Sequence, residues 1–195
     1  MSETLKNLGK AFIGESQARN RYTYYSKQAL KDNYPQLSDI FELTANQEKE
    51  HAKQLLLMIN ELKTKENMRP SDLVLVETEA NTTFADTKIN LEAAIAGELH
   101  ETNSMYPDFA KVAQAEGLVE IAGKLRAIGL AEKHHAERYQ KFLDGMRSGT
   151  LWKKSAPVKW ICRECGYEHT GTEPPKVCPA CKHDYWFYQV KCEEY

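Results

Sequence analysis

The first 161 residues of this 195-residue chain contain no cysteine, so no disulfide staples that stretch and its stability must come from packing or from other ligands. Long apolar runs are missing as well. The longest is Leu55–Ile59, far short of the roughly 20 residues that span a bilayer. The polar opening Met1-Ser-Glu-Thr-Leu-Lys-Asn lacks the apolar centre of an export signal. No charge predominates, with 26 Lys and Arg against 28 Asp and Glu for a net charge of -2, which leaves no basic footprint for nucleic acid. Membrane and nucleic acid are therefore excluded as expected partners, and a cytoplasmic location is the expectation.

Against these absences stands a duplication. The string Glu-Lys-x-His-Ala occurs at Glu48–Ala52 and again at Glu132–Ala136, 84 positions apart, and each copy follows a Gly-Glu pair, Gly14-Glu15 or Gly97-Glu98. Residues three apart share a helix face, so Glu48 with His51, and Glu132 with His135, each aim a carboxylate and an imidazole at one point. A carboxylate-bridged two-metal site in a helical bundle needs two such Glu-x-x-His helices and one inward Glu from each of two others. Glu15 and Glu98 fill those places. The register points the same way, because Glu48 and His51 complete the stripe of Thr44, Leu55, Met58 and Leu62. Glu132 and His135 complete that of Ile121, Leu125, Ile128, Tyr139 and Phe142. Leu91, Ala94 and Met105 frame Glu98 and Glu101, and Leu5, Leu8, Phe12, Ala18 and Tyr22 frame Glu15. An ionised carboxylate buried without a partner costs several kcal/mol, and no Lys or Arg in these stripes can neutralise the set. A pair of metal ions can.

The periodic segments predict a mainly α fold: helices over Glu3–Leu30, from Ser38 as N-cap to Lys63, from Asp86 to Ala115 with a bend near Pro107, and, after a break at Gly117, a fourth to Arg147. The stretch 65–85 loses periodicity and suits a long crossover, so the order is helix pair, crossover, helix pair, as in a ferritin-like four-helix bundle. Asn20 and Asn103 repeat at the same offset as the Gly-Glu pairs, and the halves look like a duplicated helix pair. The expected division is a di-iron bundle over 1–147, a linker over 148–158 and a small metal-bound β/loop domain over 159–195. That last segment holds all five cysteines and, with the linker, four of the seven prolines. It is too short to fold on its own apolar core.

Cys162-Arg-Glu-Cys165 and Cys178-Pro-Ala-Cys181 are two Cys-x-x-Cys knuckles. Four thiolates so spaced bind one tetrahedral ion, zinc as a structural ribbon or iron as an electron-transfer centre, and spacing alone does not choose. Gly166-Tyr167, Pro179, Trp160, Trp186 and Phe187 make the segment resemble rubredoxin. Lys182 departs from that pattern, standing where such knuckles have Gly. Cys192 lies outside the set and reads as a partly buried small residue.

Together, Gly14-Glu-Ser-Gln-Ala-Arg-Asn-Arg-Tyr22, Glu48-x-x-His51, Gly97-Glu98-x-x-Glu101, Glu132-x-x-His135 and the cysteine segment resemble the rubrerythrin family over the whole chain. The resemblance implies a non-haem di-iron peroxidase that reduces hydrogen peroxide to water, fed by an Fe(Cys)4 centre of Cys162, Cys165, Cys178 and Cys181 in which zinc can substitute. It implies iron ligation by Glu15, Glu48, Glu98, Glu132 and His135, with Glu48 and Glu132 bridging. One iron is expected to exchange between Glu101 and His51, and Tyr22 and Tyr106 to hydrogen-bond near the site. His100 and His134 face elsewhere by helical angle. The implied partners are an electron-donating reductase or rubredoxin and a second copy in a head-to-tail homodimer. The competing readings are an iron-oxidising ferritin-like protein and a non-enzymatic structural zinc protein.

Overall fold

The computed structural model describes residues 1–193. Two long helices, α1 (Glu3–Lys31) and α2 (Pro35–Lys65), are joined by a tight turn. A crossover over 66–86 has neither helix nor strand. A third rod follows, made of α3 (Thr87–His100), a π-helical turn (Glu101–Met105) and α4 (Tyr106–Ala115), and α5 (Val119–Ser148) completes the bundle. The order agrees with the expectation of two helix pairs and a crossover.

The start of α1 is anchored by groups distant in sequence. Ser2 caps it through Leu5 N–H, Glu66 at the end of α2 accepts from Ser2 N–H, and Glu116 beyond α4 accepts from the N–H groups of Glu3 and Thr4. Three helix ends are thus locked together by donors that a helix N-terminus leaves free. The second helix begins at Pro35, not at Ser38. Proline suits the first helical position, where its missing N–H costs nothing, and Ser38 is buried inside the helix with its hydroxyl 3.0 Å from that of Ser26.

The bend expected near Pro107 takes the form of the π-turn. Pro107 has no N–H to give the carbonyl four residues back, and the preceding N–H of Tyr106 bonds to Glu101 O, five residues back. This extra residue moves the inward stripe from Met105 to Tyr106. Tyr106 is fully buried and Met105 is not, which corrects the register read from the sequence. Gly129 on α5 makes room for it, since a Cβ there would lie 3.0 Å from Tyr106 Cβ.

The core is split in two. One apolar cluster gathers Leu5, Leu8, Leu55, Met58, Leu62, Ala110 and Leu125, and the other gathers Tyr22, Tyr25, Leu37, Phe41, Leu91, Tyr139 and Phe142. After α5, Leu151 packs back against the second cluster and Trp152 stacks on Tyr34. A three-stranded antiparallel sheet follows, with β1 (Val158–Cys162) central between β2 (Glu168–Gly171) and β3 (Tyr188–Val190).

The crossover is held by a buried lysine. Lys63 Nζ donates to the carbonyls of Pro70 and Asp72, and Val74 and Val76 pack where Gly9 leaves room. Charge-assisted bonds of this kind contribute about 1–3 kcal/mol. Lys63→Met, which keeps the aliphatic stem, is expected to speed amide hydrogen exchange over 68–76 while leaving the helices protected. Unchanged exchange in that segment would show that the lysine does not hold it.

Candidate metal centres

Between the two apolar clusters lies a layer of charge. Glu15 from α1, Glu48 from α2, Glu98 from α3, and Glu132 and His135 from α5 are all at most 2% exposed, and His51 from α2, 15% exposed, lies at the edge of the layer. They form two groups whose donor atoms lie within 4.8 Å of one another: Glu15, Glu48, His51 and Glu132, and Glu48, Glu98, Glu132 and His135. Glu48 and Glu132 belong to both. Every bundle rod contributes, and the shared pair comes from the two Glu-x-x-His helices.

His51 Nδ1 lies 2.8 Å from Glu132 and 3.0 Å from Glu48, while His135 Nδ1 lies 2.8 Å from Glu132 and 3.1 Å from Glu48. Burial would strip protons from these imidazoles, but the surrounding carboxylates, Glu132 foremost, override it and raise both, His135 to about 11. Burial and the neighbouring negative charges push Glu15 well above the carboxylate range and Glu98 up to about 8, although hydrogen bonds to the histidines oppose this. Glu48 goes the other way: burial disfavours its charge, yet hydrogen bonds from His135 and His51 bring it down to about 2. Without other cations, protons balance the layer.

A metal pair fits the donors better than protons do. Both oxygens of Glu132, one oxygen each of Glu15, Glu48 and Glu98, and Nδ1 of His135 are buried with no aligned hydrogen bond. These atoms face one another at ion-pair distance without hydrogen-bond alignment, which leaves them costly to bury unless something else coordinates them. A set of four carboxylates and two imidazoles, two of the carboxylates shared, suits two divalent or trivalent first-row ions.

Around the donors stand groups that orient them. Tyr22 OH donates to Glu98, and Tyr106 OH donates to Glu15, as expected of both tyrosines. Glu101 lies outside both donor groups, at the first residue of the π-turn. Burial and then the charge of Glu15 hold its carboxyl well above the usual range. The structure therefore puts His51, not Glu101, among the donors. His100 and His134 are exposed, in line with the helical angles. Tyr139 was read only as part of an apolar stripe, but it lies against Tyr22 with ring centroids 5.7 Å apart, behind the Glu98 side of the layer. Arg138, next to it, reaches Thr44 and Gln47 rather than the carboxylates.

The four knuckle cysteines form a second centre. Cys162 and Cys181 sulfurs are 3.6 Å apart, and those of Cys165 and Cys178 are 3.7 Å apart, too long for a disulfide and close to the edge of a tetrahedron with bonds of about 2.3 Å. Each knuckle turns on a left-handed residue, Gly166 at φ 76° and Lys182 at φ 67°. At Lys182 this costs about 1–2 kcal/mol, so the departure from glycine leaves the knuckle geometry intact. Cys192 is exposed rather than partly buried and stays outside the centre.

A sequence model of rubrerythrin matches residues 6–143, and one of the rubrerythrin rubredoxin-like domain matches residues 160–188. The chain is 52% identical over 195 residues to a putative rubrerythrin of Methanocaldococcus jannaschii, covering 100% of this chain and 96% of that protein. It is 45% identical over 182 residues to a rubrerythrin of Nitratidesulfovibrio vulgaris, covering 93% and 91%. A solved structure of nigerythrin in its fully reduced, all-ferrous state superposes with a TM-score of 0.64 at 29% identity, over 98% of this chain and 88% of that one. A ferritin of Chlorobium tepidum shares the bundle, with a TM-score of 0.58 at 20% identity over 75% of this chain and 86% of the other. Among the described residues no helix is long and apolar enough to cross a membrane. With a ferritin-like bundle and a rubredoxin-like four-cysteine segment in one polypeptide, the chain belongs to the rubrerythrin family.

Proposed function

We propose that the chain is a peroxidase that reduces hydrogen peroxide to water in defence against oxidative stress. Its di-iron site would be held by Glu15, Glu48, His51, Glu98, Glu132 and His135, and an iron centre of Cys162, Cys165, Cys178 and Cys181 would supply the electrons. The observation that carries this reading is Glu101: a further carboxylate, set beside Glu15 on the π-turn and outside both donor groups. A site built only to oxidise and pass on iron has no use for it.

An iron pair supplies two electrons and Lewis acidity for cleaving the O–O bond. The protein does the rest. Glu48 and Glu132, common to both donor groups, hold the two positions side by side. Tyr106 and Tyr22 fix the orientations of Glu15 and Glu98 through their hydroxyls. Glu101, whose carboxyl is held well above the usual carboxylate range by burial and the charge of Glu15, is placed to deliver a proton to a departing oxygen and to exchange with His51 as a ligand. The apolar clusters above and below exclude bulk water. Residues 1–147 and 159–195 act as separate units joined by 148–158. An NAD(P)H-linked reductase or rubredoxin refills the cysteine centre, and a head-to-tail homodimer brings it near a partner's di-iron site.

Glu101→Gln is expected to leave the iron content of the bundle unchanged and to slow peroxide turnover by roughly 10²–10⁴-fold, the usual worth of a positioned acid. Glu48→Gln, by contrast, is expected to lose both ions. Full peroxidase activity in Glu101→Gln, measured alongside iron content, would show that Glu101 delivers no proton, and an iron-loaded wild-type chain that turns over no peroxide would favour the ferroxidase reading.

Metal loading must also displace protons. Glu98, held up to about 8, and His135, held up to about 11, carry protons at pH 7 in the metal-free chain and must give them up to coordinate. Apparent affinity for ferrous ion is therefore expected to rise with pH through neutrality. Calorimetry in buffers of different ionisation enthalpy checks the release, and heats that do not vary with the buffer would contradict it.

A further inference from the structure

The apolar clusters close the carboxylate layer above and below, so a small molecule has to reach it from the side. A cleft of about 490 Å³ opens there between α1 and α3. Glu101 lines it, and so do Gly14 and Gly97, the two glycines that stand directly before Glu15 and Glu98 in the duplicated pattern. Its outer wall is the crossover at Thr78, Asn81 and Thr83. That wall is tied on both sides. Tyr25 OH donates to Thr83 O at 2.6 Å, and Val76 packs in the space left by Gly9. The cleft is therefore a standing feature of the fold.

Packing does not account for the two glycines. Glycine in a helix interior is destabilising relative to alanine, and a reason for it is visible elsewhere in the bundle: an added Cβ would lie 3.3 Å from Val74 at Gly9 and 3.0 Å from Tyr106 at Gly129. At Gly14 the nearest atom to such a Cβ is Glu101 Oε1 at 3.9 Å, an ordinary contact, and at Gly97 nothing lies within 4 Å. Neither residue has the positive φ that favours glycine. What they share is the cleft, which a side chain at either would narrow. We propose that this cleft is the entrance by which hydrogen peroxide reaches the carboxylate layer, and that Gly14 and Gly97 hold it open by carrying no side chain. The inference rests on the peroxidase reading and adds to it the route of the substrate. Because the cleft reaches the layer at Glu101, an incoming peroxide meets the extra carboxyl of the π-turn on its way to the donors.

The test uses the full chain with iron in both centres. In Gly97→Leu, kcat/KM for hydrogen peroxide should fall severalfold while iron content and kcat at saturating peroxide change little, and Gly97→Ala should lie between it and the unsubstituted chain. Gly123→Leu, at an exposed glycine of α5 that is outside the cleft and has nothing within 4 Å of an added Cβ, should match the unsubstituted chain. A second readout needs no turnover. The ferrous-loaded chain is treated under argon with a water-soluble carbodiimide and a small amine, and labelled carboxyls are mapped by peptide mass spectrometry. Labelling of Glu101 should drop severalfold in Gly97→Leu while that of the exposed Glu120 stays the same. Unchanged kcat/KM in Gly97→Leu, a fall equalled by Gly123→Leu, or Glu101 labelled as readily as before would overturn the entrance and leave the peroxidase reading standing. An unsubstituted chain that turns over no peroxide, yet loses Glu101 labelling in Gly97→Leu, would overturn the peroxidase reading and leave the cleft as the opening to the layer.

Discussion

Everything in the bundle is arranged around the difficulty of burying negative charge. Glu15, Glu48, Glu98 and Glu132 sit in one layer, almost without exposure, and isolated carboxylates in such surroundings cost several kcal/mol each. Two imidazoles offset part of that cost. Even the Glu132 oxygens that face those imidazoles have no aligned hydrogen bond, so the layer suits cations from outside the chain. The apolar clusters on either side keep water from supplying the missing contacts, and the stability of the rods and the binding of metal become one problem.

That constraint explains features away from the layer. The six donors arrive from four rods, so the rods need fixed relative heights, and the ends of α1, α2 and α4 are tied through Ser2, Glu66 and Glu116. The crossover must return the chain to the far end of the bundle, and Lys63 pins its first part. The cysteine segment has only a small apolar cluster of its own, Trp160, Cys162, Cys178 and Tyr188. It is docked by Trp152 on Tyr34 and by the Arg163–Asp39 ion pair.

Much of this was legible in the sequence because charged residues in apolar stripes are rare and leave a sharp signal. Glu48, His51, Glu132 and His135 could be oriented inward from spacing alone, and the two knuckles were fixed by theirs. The start of α2 was misplaced because Pro35 reads as a breaker until one knows that it opens a helix. The exchange of Met105 for Tyr106 was not legible: a π-turn changes the register without changing composition, and only the hydrogen bond from Tyr106 N–H to Glu101 O reveals it. The place of Glu101 outside both donor groups depends on that turn and on side-chain rotation, which spacing does not encode.

The π-turn also bears on symmetry. The two halves of the bundle repeat at an offset that sets Glu15 against Glu98, and by the same count sets Ala18 against Glu101. Where one half has a methyl group the other has a carboxyl, and the inserted residue lies directly after it. A duplicated scaffold, left alone, would offer its two central positions identical surroundings, and a small molecule with two equivalent oxygens would have no reason to react from one end. A single-residue dislocation in one of four rods removes that equivalence, so the fold is twofold in its architecture and one-sided in its chemistry.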